Sequence, residues 1–214
     1  ASDVYKRQPL IKNDLPWRYV RTLGNIINCL IESNNLIKAQ ELLIELNELN
    51  NQKNFKSLDI KVKLFTIYND AQLAIFEKKG DFQKALRHID NMELGFSNLK
   101  NKLNKEQTIQ FYYRISYLYF GSGLYKNALK WVNKILNDNE QILRQDIYSF
   151  AKLFNLILHY ELNNYDLLDY ITKSTLRFLK KSEKNYKSDL VLIKYLKQLI
   201  KANTESEKKK IFKQ

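Results

Sequence analysis

Residues 112–135 read YYRISYLYFGSGLYKNALKWVNKI. Apolar and aromatic residues recur at helical spacing on both sides of a break at Gly121-Ser122-Gly123. Two residues after Gly123 comes an aromatic, Tyr125, and three after that comes Ala128. The same form stands in FEKKGDFQKALRHI and YELNNYDLLDYI, and a less aromatic version lies around Asn34. Aligned this way, Asn34, Gly80, Gly123 and Asn163 are equivalent, at offsets of 46, 43 and 40 residues. So are Leu36, Phe82, Tyr125 and Tyr165, and so are Ala39, Ala85, Ala128 and Leu168. Close helix packing gives the pattern a physical reason. The Gly or Asn takes the left-handed turn between two helices. The aromatic wedges into the angle between them, and the small residue lets the second helix approach the first.

Composition agrees with helices. The 214 residues hold five Gly and two Pro, too little turn chemistry for hairpins, and 44% are hydrophobic, enough for a core. Capping signals place the boundaries. Asp14 and Pro16 open a helix over WRYVRTLGNIINCLIE, and Asn34-Asn35 precedes LIKAQELLIELNEL. A long helix over IKVKLFTIYNDAQLAIFEKK stops at Gly80, and Asp81 caps FQKALRHIDNME. Asn104 with Gln107, and Thr204 with Glu207, have the spacing of capping boxes. Helices are also expected at YKNALKWVNKIL, IYSFAKLFNLILHYEL, YDLLDYITKSTLRFL and, after Ser182, VLIKYLKQLI.

The best repeat resembles the tetratricopeptide repeat. Tyr112, Ile115, Ser116, Tyr119, Gly123, Tyr125, Ala128, Val132 and Ile135 fall on its signature positions. The period here is longer than that family's, the closing Pro is absent, and Thr172 and Thr175 replace apolar residues in the fourth unit. The resemblance implies an all-α fold, a right-handed α-solenoid of about four antiparallel helix pairs and a partial fifth, spanning residues 9–214. A plain helical bundle satisfies the same helix spacing.

The opening DVYKRQ, Asp3 to Gln8, matches the in-frame translation of a transposase end used in sequencing libraries. Residues 1–8 are therefore expected to be a non-native scar. With a fresh capping box at Thr204 so close to Gln214, the chain reads as an internal fragment of a longer repeat protein.

The search for chemistry is mostly negative. Cys29, the single cysteine, sits in the apolar IINCLI and is expected to be a buried thiol. His88 and His159 lack metal-ligand spacing, and GSG at 121–123 lacks the strand and Lys-Ser/Thr of a phosphate loop. No catalytic residue, metal or cofactor is expected, and no membrane span. The family resemblance and the single cysteine imply a cytoplasmic setting.

Recognition is the expected function, in a groove lined by the first helix of each pair. The resemblance puts Gln110, Tyr113, Tyr117 and Phe120 there from the third repeat. It adds Phe150, Leu153, Ile157 and Tyr160 from the fourth, and Arg21, Asn28 and Ile31 from the first. Tyr113, Tyr117, Phe120, Phe150 and Tyr160 are the expected anchors for a protein or peptide partner. The same rings serve as core if long helices bury them. An alternative partner is nucleic acid. The net charge is +13, and residues 173–214 carry 13 Lys or Arg against 4 Asp or Glu. There Lys187, Lys194, Lys197 and Lys201 line one face, ahead of Lys208 to Lys210. Lysine outnumbers arginine in that tail, which suits a solvated face as well as a phosphate contact. A third reading is the sensor half of a regulator with its output domain elsewhere.

Overall fold

In the computed structural model the chain is all-α. The structure describes residue 12 and residues 14–138, 144–181, 187–202, 204–211 and 213. The expectations placed on residues 1–8 and on Ser182 lie outside the described residues. Ten α-helices occur among the described residues: α1 Pro16–Glu32, α2 Leu36–Glu48, α3 Leu58–Lys79, α4 Phe82–Leu99, α5 Lys105–Gly121, α6 Tyr125–Leu136, α7 Gln145–Glu161, α8 Tyr165–Lys181, α9 Lys187–Lys201 and α10 Glu205–Ile211. Three short 3-10 turns, Leu49–Asn51, Lys53–Phe55 and Lys100–Lys102, were not legible as separate elements in the sequence. The chain divides into two compact units, residues 1–122 and 123–214.

In the first unit α1 packs on α2 and α3, α2 on α3, α3 on α4 and α5, and α4 on α5. The cause is the apolar spacing. Val20, Leu23, Ile27 and Ile31 form one buried stripe of α1, and they meet Ala39, Leu43 and Leu46 of α2 and Leu64, Ala71 and Ile75 of α3. Phe55, fully buried in the second 3-10 turn, fills the same core. Tyr19 lies edge-on to that ring and donates its hydroxyl to the Glu45 carboxylate. Burial and then the Glu45 contact push the Tyr19 phenol well above its ordinary value. In the second unit α6 packs on α7, α7 on α8 and α9, α8 on α9, and α9 on α10. Its core joins Leu153 and Leu156 of α7 to Leu168 and Leu179 of α8 and Ile193 and Leu196 of α9.

The aligned turns behave alike. Among the described residues the positive backbone φ angles fall at Asn34 (60°), Gly80 (68°), Gly123 (75°) and Asn163 (57°). These are the four positions that the repeat alignment made equivalent. Five residues after each, Ala39, Ala85, Ala128 and Leu168 are essentially fully buried. Three of the four are Ala, and the fourth is the larger Leu168. Both capping boxes form. Asn104 Oδ1 accepts from the Gln107 N–H at 2.8 Å while Gln107 Oε1 accepts from the Asn104 N–H at 3.0 Å. Thr204 and Glu207 exchange the same pair of bonds at 3.2 and 3.3 Å. Each box contributes about 1 kcal/mol to its helix.

Three expectations need correction. Cys29 is exposed, because α1 buries Val20, Leu23, Gly24, Ile27 and Ile31, and a residue two past Ile27 points away from that stripe. Of the residues that follow each turn, Leu36, Phe82 and Tyr125 are half-buried and Tyr165 is 41% exposed; Leu36 packs against the first core, and the Phe82 ring lies where a Cβ of Gly121 would go. Helix α4 runs to Leu99 rather than stopping at Glu93; Gly95 lies inside it, where a Cβ would come within 2.7 Å of the Phe65 ring. Close approach of α3, not a chain break, explains that glycine. Ile31, expected in a groove, belongs to the core.

Candidate functional site

The expected anchors divide between the two units, those of α5 in the first and those of α7 in the second. On α5, Ile109, Phe111, Tyr112, Ile115, Ser116 and Leu118 are buried. Gln110, Tyr113, Tyr117 and Phe120 follow one another at helical spacing beside that stripe, and all four are half-buried. Their edges therefore reach solvent while part of each ring packs.

The residue that sequence reasoning passed over is Arg114. Its Nε donates to Asp70 Oδ1 at 2.9 Å and its Nη1 to Glu77 Oε2 at 2.7 Å. Asp70 and Glu77 are seven residues apart, two turns of one face of α3, so a single guanidinium spans both. The Arg114 side chain is 16% exposed. Burial works against its charge, and the two carboxylates overcome that, so its pKa stands above the ordinary value. The cluster fixes α5 against α3 and holds the face that carries Tyr113 and Tyr117. The available signal was a lone Arg inside YYRISYLYF. A charge in so aromatic a helix requires carboxylate partners nearby.

The α7 set is less uniform. Phe150 is half-buried and its ring lies 5.1 Å from that of Phe154. Leu153 is a core residue, and Ile157 and Tyr160 pack against the same core. Leu153 is thus removed from the expected groove. The Tyr160 ring meets Tyr165 at 6.0 Å, and the Tyr165 hydroxyl donates to Asn163 Oδ1 at 2.8 Å. On α1, Arg21 and Asn28 are exposed.

His88 is a packing residue. It lies between the Tyr68 and Phe76 rings, at 6.0 and 5.9 Å, and its Nε2 is 2.9 Å from Asn69 Oδ1. Asn69 donates its Nδ2 to the Phe65 carbonyl at 2.8 Å, which leaves Oδ1 to accept from His88 Nε2–H. Burial lowers the His88 pKa, so the ring is neutral near pH 7. His88 and Asn69 line a polar hollow of about 430 Å³ with Asn47, Asn50 and Asn91. His159 accepts from Asn164 Nδ2 at its Nδ1, 3.2 Å away, and burial lowers its pKa too. Among the described residues no three His, Cys, Asp or Glu gather as a metal site requires, and no helix is long and apolar enough to cross a membrane.

The basic residues expected on α9 are Lys187, Lys194, Lys197 and Lys201. Lys194, Lys197 and Lys201 are exposed and lie along one side of the helix. The Lys187 side chain lies outside the described residues. Comparison of the chain with protein-family models, with curated proteins and with solved structures found no match.

Proposed function

We propose that this chain is a non-catalytic binding scaffold of the tetratricopeptide type, a solenoid of antiparallel helix pairs that recognises a protein or peptide partner. The observation that carries the repeat reading is the set of four left-handed turns at Asn34, Gly80, Gly123 and Asn163, each followed five residues later by a buried apolar residue. The packing of α1 on α3 and of α3 on α5 supports it, since stacked pairs place their first helices side by side. Recognition rests on Tyr113, Tyr117 and Phe120 of α5 in the first unit and, within the second unit taken by itself, on Phe150 and Tyr160 of α7. Half-buried aromatic rings are rigid, already ordered by their packing, and give an incoming chain apolar area at little further entropy. Arg114, Asp70 and Glu77 hold the α5 face in place for that purpose.

Titration of a captured partner against Tyr113→Ala/Tyr117→Ala and Tyr113→Phe/Tyr117→Phe tests this. An anchor role predicts about a 30-fold or larger loss for the Ala pair, with the helical signal retained, and a smaller loss for the Phe pair. Equal affinity of all three proteins contradicts the assignment.

A further inference from the structure

We infer that the groove between α8 and α9 is a docking site for an acidic amphipathic helix. This groove is open and has a volume of about 380 Å³. Leu176 of α8 and Leu190 and Ile193 of α9 make its apolar surface. Ile193 is buried, Leu176 half-buried and Leu190 46% exposed, so the floor grades from core to surface. Lys194, Lys197 and Lys201 line the same groove and are exposed. No carboxylate among the described residues is paired with any of the three, whereas Lys173 on α8 is held by Asp169 at 3.3 Å.

The combination selects the partner. Bare lysines beside an apolar floor complement a segment that carries carboxylates and apolar side chains on adjoining faces. The lysines rise about 10 Å along α9. A helix lying beside α9 presents carboxylates at i, i+3 or i+4, and i+7 over the same length, with its leucines turned to the floor. Gln198 stands on the same wall, and its Oε1 is shut from water with no hydrogen-bond partner among the described residues. Rotation of that carboxamide toward the groove would let it meet a polar group of the seated helix. Nucleic acid fits less well. Phosphate contacts need no apolar floor, single strands bind by stacking bases on aromatic rings, and the groove lining offers neither an aromatic nor an Arg. The site shares no residue with the aromatic faces of α5 and α7, so each stands or falls alone.

The experiment uses the whole chain and a fluorescein-labelled peptide of about sixteen residues, rich in Glu with Leu at helical spacing. Controls are a scramble of the same composition and an oligothymidine of about twenty nucleotides. The ordered peptide is expected to bind about tenfold or more tightly than the scramble and than the oligonucleotide. Lys194→Glu/Lys197→Glu/Lys201→Glu should weaken it about tenfold or more, and Leu190→Ser about threefold or more. Tyr113→Ala/Tyr117→Ala should leave it unchanged, which separates this site from the aromatic one. All four substituted positions in the α9 variants are exposed, and unchanged helical signal confirms their folding. Equal binding of ordered and scrambled peptides, tighter binding of oligothymidine, or no peptide binding overturns the inference.

Discussion

Gly121 and Gly123 stand two residues apart, and the structure makes Ala costly at each for a different reason. Gly123 has φ +75° and nothing within 4 Å of an added Cβ. Its penalty is backbone strain alone. A left-handed L-residue costs about 1–2 kcal/mol, and the reduced freedom of the unfolded chain returns about 0.4–1 kcal/mol. Gly123→Ala should therefore lose about 1 kcal/mol, a Tm drop of about 2–4 °C for a chain of this size. Gly121 ends α5, where Ala is favoured over Gly by up to about 1 kcal/mol. There an added Cβ would lie 2.2, 2.4 and 2.6 Å from three atoms of the Phe82 ring. The ring must retreat by about 1.3 Å to reach van der Waals contact, and such overpacking costs about 1–3 kcal/mol. The two single variants will look alike in a melt. Two further variants part them. Gly123→Asn should recover much of the loss, as Asn34 and Asn163 occupy the equivalent turns. In a Phe82→Leu background Gly121→Ala should become neutral or stabilising, while Gly123→Ala keeps its full loss. Urea denaturation followed by circular dichroism gives the four-way cycle. If Gly121→Ala is as harmful beside Leu as beside Phe, or Gly123→Asn as harmful as Gly123→Ala, the reasoning fails.

Other outcomes follow from the same contacts. Arg114→Ala strands Asp70 and Glu77, each about one quarter exposed, and should destabilise by about 2–3 kcal/mol in denaturant melts. Asp70→Asn/Glu77→Gln should reduce that loss when combined with it; additive losses would show that no shared cluster exists. Stability should fall as pH drops below 6.5, the ordinary His value, because burial holds the folded pKa of His88 beneath it. Below 6.5 the unfolded chain takes up a proton that folded His88 resists, so acid favours unfolding until the folded pKa is passed. His88→Gln should flatten the stability–pH curve in that window; an unchanged slope assigns it to other groups, His159 among them. Asn34→Gly and Asn163→Gly should be neutral or mildly stabilising in thermal melts, whereas Asn34→Ala and Asn163→Ala should destabilise.

Much of the helix order was legible because the turn chemistry is local. Left-handed Gly and Asn, the Asn104–Gln107 box and the Thr204–Glu207 box each act within a few residues, and all formed where the sequence placed them. Failures came where a distant partner decides. Whether Cys29 faces core or solvent depends on how α1 rotates against α2 and α3, and its apolar neighbours did not reveal that rotation. Leu153 and Ile31 share helical spacing with surface residues, yet tertiary packing draws both into cores. The Arg114 cluster joins residues 37 and 44 positions apart, beyond the reach of any local pattern. At Gly95 inside α4 and at Gly121, the last residue of α5, an aromatic ring from another helix lies where a side chain would go, and no local pattern marks that.

The central claim is that this helical array exists to hold a protein partner. Affinity capture from the source cell's lysate, with residues 9–214 as bait and with and without nuclease, tests it most directly. The account predicts a protein that survives nuclease and is lost with Tyr113→Ala/Tyr117→Ala, while the variant keeps its helical signal. Capture of nucleic acid alone, or of proteins that nuclease releases, would contradict it.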